Sequence, residues 1–80
     1  MKIDFKDAKK GDYLYWFSEV NKHYAIGQIL VLHSYYGYNY LYGKVLESNF
    51  LAINEKISFE IDKCLFFTNK SDIDKILIFK

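Results

Sequence analysis

Two histidines, one cysteine, ten carboxylates and eight tyrosines are the side chains of this chain from which chemistry could be built. The histidines are His23 and His33. On one continuous strand, at ~3.3 Å per residue, ten steps would separate them by roughly 33 Å, far beyond a shared metal ion's reach. A joint site would need a sharp bend near Gly27, so each reads as a strand-end residue half in water, and no metal is expected. His33, beside Ser34 and Tyr35, is the better candidate for touching a ligand. Cys64 follows Lys63, whose charge could lower the thiol pKa, but adjacent strand residues point to opposite faces. A buried, inert small hydrophobe is the stronger reading. Two carboxylate groups stand out, Glu55/Glu60/Asp62 and Asp72/Asp74. A wet sheet face explains Glu60 and Asp62 beside Ser58 without any acid–base role. None of G-x-S-x-G, G-x-x-x-x-G-K-S/T or H-E-x-x-H occurs, so an enzyme is not expected and no cofactor is implied.

The densest feature is aromatic: Tyr35, Tyr36, Tyr38, Tyr40 and Tyr42 fall within eight residues. Tyr36, Tyr38, Tyr40 and Tyr42 share parity and would line one face of an extended chain, with a hairpin at Gly37 folding Tyr35 against them. Tyrosine offers a large contact area at low entropic cost and keeps a polar tip, which is why binding surfaces favour it. The same rings could stack nucleobases while Lys22 or Lys44 holds phosphate. They could also pack over the edge of the core, or form the contact of a homo-oligomer.

These residues have to be positioned by strands. Turn residues punctuate the apolar runs every eight to twelve positions, and β-branched and aromatic residues dominate, which predicts an all-β chain. Lys9-Lys10-Gly11-Asp12 suits a turn that launches a strand at Tyr13–Phe17. A polar hairpin over Ser18–Lys22 follows, with Asn21 available for a left-handed position. The next strand, His23–Tyr35, is apolar on both parities, so it is covered on both faces or bent near Gly27. Tyr40–Glu47 is a further strand, and Ser48–Lys56 a connection whose Phe50, Leu51 and Ile53 pack on the body. Ile57–Asp62 alternates strictly and reads as a half-buried strand, extended past a kink by Lys63–Thr68. A short helical turn is expected near residues 71–75, with Ser71 as its cap, and a terminal strand at Ile76–Phe79. Phe5, Phe17, Phe59, Phe67 and Phe79 belong to the core. Five to six short strands, one of them long and bent, predict a small SH3-like barrel or a strongly curled antiparallel sheet.

Composition narrows the function. Eighty residues make one domain, 1–80, and the apolar stretch Tyr24–Leu32 is too short for the ~20 residues of a membrane span. Met1–Lys6 lacks an apolar leader core, and one cysteine excludes an internal disulfide, so a reducing, cytoplasmic setting is expected. All eleven basic residues are lysine, consistent with AT-rich codon usage, and the formal net charge is +1. With no arginine to make bidentate contacts and no global positive field, base-specific DNA reading is disfavoured.

Lys10-Gly11-Asp12-Tyr13, followed by His23-Tyr24-Ala25-Ile26-Gly27-Gln28-Ile29-Leu30, resembles the opening of the immunity protein 26 family across roughly residues 9–46. The resemblance implies a non-enzymatic antidote that neutralises a toxin, with Gly11, Asp12 and Gly27 as scaffold positions and no catalytic residue. Phage-encoded inhibitors of host defence act on the same physical terms. The leading expectation is therefore a binding and inhibitory protein presenting Trp16, His33, Tyr35, Tyr36, Tyr38, Tyr40 and Tyr42 to a protein partner, a toxin or a defence effector. A nucleic-acid or nucleotide binder is the alternative, and no membrane partner is expected.

Overall fold

The computed structural model describes residues 1–78. Six strands, β1 (Lys2–Ile3), β2 (Tyr13–Ser18), β3 (His23–Tyr35), β4 (Tyr38–Ser48), β5 (Lys56–Ser58) and β6 (Cys64–Phe67), precede one helix, α1 (Lys70–Ile78). They form a single antiparallel sheet in the order β1-β6-β2-β3-β4-β5. The chain is thus mostly β, as expected, but the sheet is open: β1 and β5 are its two edges, and neither a barrel nor a strong curl forms. Among the described residues, no helix is long and apolar enough to cross a membrane.

Each face of the sheet has its own core, as strand alternation requires. On the inner face Leu14, Ala25, Ile29, Leu41, Val45 and Phe66 pack with Phe59 and Ala8. On the other face Tyr15, Ile26 and Phe67 pack under Ile73 of α1, with Tyr13, Phe17, Tyr24 and Ile76 around them. The Lys9–Asp12 turn is built as expected. Gly11 sits at φ +96°, its N–H donates to Ile29 O at 2.9 Å, and the Lys9 N–H donates to a carboxylate oxygen of the buried Asp12 at 3.0 Å.

Of the two alternatives for β3, coverage on both faces is the one found, over part of its length. From Ala25 to Ile29 it is covered on both sides. Register shifts fall at Ile26/Gly27, where β4 has Leu46 as an extra residue, and at Ile29/Val31, where Leu30 is the extra residue on β3. A bulge reverses parity. Ala25 and Ile29 face the inner core before the second shift, and Leu32, of opposite parity, faces it afterwards.

Several expected elements are different. The turn after β2 places Lys22, not Asn21, in the left-handed region at φ +57°. Asn49 holds that turn from the side: its amide donates to Lys22 O at 2.8 Å and its carbonyl accepts the Tyr24 N–H at 2.9 Å. The alternating Ile57–Asp62 segment is a strand only through Ser58. The Phe59 N–H still donates to Leu41 O, and the chain then crosses the inner face through a 3-10 turn at Ile61–Lys63. Cys64–Phe67 therefore does not prolong that strand but pairs with β2 and β1 on the far side of the sheet. The helical turn expected at 71–75 is a longer helix that begins at Lys70, which puts Ser71 inside its first turn. Ile76 belongs to this helix rather than to a terminal strand, and Phe79 lies outside the described residues.

At Gly43 on β4, the β3 backbone and a ring of the crossing segment both approach closely. A β-carbon there would stand 3.0 Å from Gln28 O and 3.2 Å from the Phe59 ring. Gly43→Ala is expected to lower the unfolding free energy by about 1–3 kcal/mol, since backbone and ring must both give way. Urea denaturation checks this, and an unchanged midpoint would contradict the packing.

A tyrosine ribbon as the candidate functional site

Beyond Val31 and Tyr42 the β3–β4 hairpin runs on without the rest of the sheet. β2 pairs with β3 only as far as Gln28, and β5 pairs with β4 only at Tyr42–Lys44. The remaining rungs, Leu32↔Leu41, His33↔Tyr40, Ser34↔Asn39 and Tyr35↔Tyr38, form a two-stranded ribbon. The molecule is correspondingly elongated, 37 Å along its longest axis against 24 and 23 Å.

Directly paired residues share a face, so Val31/Tyr42, His33/Tyr40 and Tyr35/Tyr38 stand together on the side opposite Leu32 and Leu41. The ring contacts run along each strand. His33 stacks on Tyr35 with centroids 5.9 Å apart, and Tyr40 on Tyr42 at 6.2 Å. Exposure is high, at 60% for Tyr35, 71% for Tyr38 and 38% for Tyr40. Tyr36 differs from its expected place in the stripe. It forms the two-residue turn with Gly37, both at positive φ (+49° and +76°), the pattern of a type I′ turn. At the tip Tyr36 is 92% exposed and meets Tyr35 edge-on at 4.4 Å.

A type I′ turn favours asparagine at its first central position, and a bulky residue at positive φ is strained by roughly 1 kcal/mol. Tyr36→Asn is therefore expected to raise stability by about 0.5–1 kcal/mol, read as a higher thermal midpoint. A lower midpoint would show that Tyr36 stabilises the fold.

Trp16, expected beside the tyrosines, is on the other side of the sheet. It alternates with Tyr15 and Phe17, packs against the inner core and lies 5.5 Å from Phe50. His23 stacks on the same Phe50 at 4.3 Å, so the two histidines stay at opposite ends of β3. No group of three or more potential metal ligands occurs among the described residues. Lys44 shares the tyrosine face next to Tyr42, whereas Lys22 is in the distant turn after β2. Glu47 accepts a hydrogen bond from the Tyr24 hydroxyl at 3.0 Å, and burial together with that carboxylate raises the phenol pKa.

Cys64 packs half-buried against the inner core. Burial, reinforced by the Asp62 and Glu60 carboxylates, pushes the thiol up to about 12 from an ordinary 9.0, while Lys63 pairs with Glu60 at 3.5 Å. The fold favours the neutral thiol, so its stabilising contribution is complete below pH 9 and is lost as the pH rises toward 12. At pH 8 only about one thiol in 10⁴ would be ionised. Iodoacetamide should label the folded chain far more slowly than the urea-unfolded one, and equal rates would contradict this environment.

The sequence reading missed the uncharged character of the ribbon. Leu30 to Tyr42 contains no Asp, Glu, Lys or Arg, and a count of charges along the chain would have found this. No family model, curated protein or solved structure matches the chain.

Proposed function

We propose that the protein is a non-catalytic binding module that inhibits a partner protein by gripping it with the tyrosine ribbon. The observation that carries this reading is the ribbon itself: an uncharged hairpin that runs beyond the other strands, with Tyr35, Tyr36 and Tyr38 mostly in water and His33 and Tyr40 as the next pair on the same face. Exposed aromatic surface of this kind is seldom kept by a monomer without use. Tyrosines held on paired strands also lose little further entropy on binding. The narrower version, neutralisation of a toxin or defence effector, rests on the resemblance at Lys10–Tyr13 and His23–Leu30, residues that form the turn into β2 and the covered half of β3.

The test is parallel capture with the wild-type chain and a Tyr36→Ala/Tyr38→Ala chain, followed by co-elution of the captured protein on a sizing column. A partner retained by the first and lost by the second supports the reading, and equal retention by both removes it. Single-stranded oligonucleotide binding that weakens steeply with salt would instead support base stacking, with Lys44 on phosphate. A reading frame immediately downstream of a large toxin gene, or among phage early genes, would favour the inhibitory version.

A further inference from the structure

The ribbon has an unoccupied hydrogen-bonding edge. Gly11 and Asp12 close the outer side of β3 at Ile29, and β2 pairs with nothing beyond Gln28. On the opposite strand, Leu41 O accepts the Phe59 N–H at 2.9 Å, so the backbone of Leu41 faces outward. Its partner Leu32 is then a non-hydrogen-bonded rung whose own N–H and C=O point out of the ribbon on the β3 side, and two residues on, Ser34 does the same. Among the described residues, no backbone or side-chain group pairs with these four atoms. The usual protections of a free edge, a lysine or a proline, are absent from Val31–Tyr35.

We propose that this edge is the seam of a homodimer. Two copies pair antiparallel about a two-fold axis through His33, so that Leu32 of each exchanges two backbone hydrogen bonds with Ser34 of the other. An antiparallel edge is its own complement, so no different partner chemistry is required. Charge permits a second copy as the occupant, Lys6 being the one charged residue that lines the groove alongside Leu32, His33 and Ser34. The ribbon carries no charged residue for the axis to set against itself, and a chain of net charge +1 has little self-repulsion. Other registers pair fewer of the free groups. Centring on Ser34 leaves Leu32 unmatched, and centring on Leu32 drives the second copy toward the Leu30 bulge and the Gly11–Asp12 turn. With the axis at His33, the Tyr36 tip of each copy lies opposite Leu30 of the other, beside a groove lined by Phe5, Lys6, Leu32, His33, Ser34 and Asn39. Because the axis is perpendicular to the ribbon, both aromatic stripes face the same way and join into one platform. The inference thus goes beyond the binding reading above, which a monomer satisfies equally well.

Light scattering on the full chain from about 1 µM to about 1 mM tests it. The mass should rise from 9.6 kDa toward twice that value. Ser34→Lys, on the free edge, should raise the dissociation constant at least about tenfold, while Val20→Lys, which adds the same charge in the exposed turn after β2, should not. In a Cys64→Ala background, His33→Cys should form a disulfide-linked dimer under mild oxidation, because the two residues meet across the axis as a non-hydrogen-bonded pair. A 9.6 kDa mass at all concentrations, or dimerisation lost in Val20→Lys and kept in Ser34→Lys, would overturn the seam. A monomeric Ser34→Lys chain that still captures the partner separates this proposal from the functional one.

Discussion

Leu14→Ala is expected to lower the unfolding free energy by about 3–5 kcal/mol. Leu14 has no exposed surface and stands on β2 between Gly27 of β3 and Phe66 of β6. A β-carbon on Gly27 would lie 3.3 Å from Leu14 Cδ1, so the leucine already fills the room left by the glycine opposite. Truncation removes transfer energy and leaves a void opposite Gly27, which has no side chain of its own to fill it. Chains of this size have about 4–12 kcal/mol in total, so the variant should be partly unfolded at 37 °C. Urea titration followed by the fluorescence of Trp16, on the same face, measures the loss. A change below about 1 kcal/mol would mean that the inner core relaxes around the gap.

Tyr38→Ala should do the reverse, leaving the fold nearly intact and weakening partner binding by about 30-fold or more. Tyr38 is 71% exposed, so its removal costs little packing, and a change in unfolding free energy within about 0.5 kcal/mol is expected. In the complex, the same ring would be desolvated between Tyr35 across the ribbon and Tyr40 two residues on. Trp16→Ala supplies the contrast: because Trp16 packs on the inner core, its loss should appear in stability rather than affinity. Calorimetric titration of the captured partner separates the two. An unchanged affinity for Tyr38→Ala, or a loss confined to Trp16→Ala, would move the site to the inner face.

How much of this was legible depended on whether a local pattern decided it. The tyrosine stripe was readable because strand parity is strict and the Gly37 turn is short. Leaving Tyr36 out of the stripe required knowing that it is itself a turn residue. Trp16 was misplaced because sequence parity on one strand says nothing about which face of a neighbouring strand it matches, and the Leu30 and Leu46 bulges change that match. A bulged leucine looks like any other apolar residue. The alternation of Ile57, Phe59 and Ile61 was real, but it recorded three contacts with the inner core, of which only Ile57 stands in a ladder. In the last segment, Ile73 and Ile76 sit three residues apart, a helical spacing that the short apolar run after Lys75 obscured.

The sheet order also sets a sequence of assembly. The β3–β4 ribbon closes over two residues, whereas β6 must find β2 and β1 from the other end of the chain, through pairs such as Tyr13↔Phe67 and Lys2↔Phe67. Loop-closure entropy makes the first event fast and the second slow. On a ribosome, β2 has no outer neighbour until Phe67 has been synthesised, while the aromatic hairpin is already complete. The nascent chain therefore displays its tyrosine ribbon before its fold is closed.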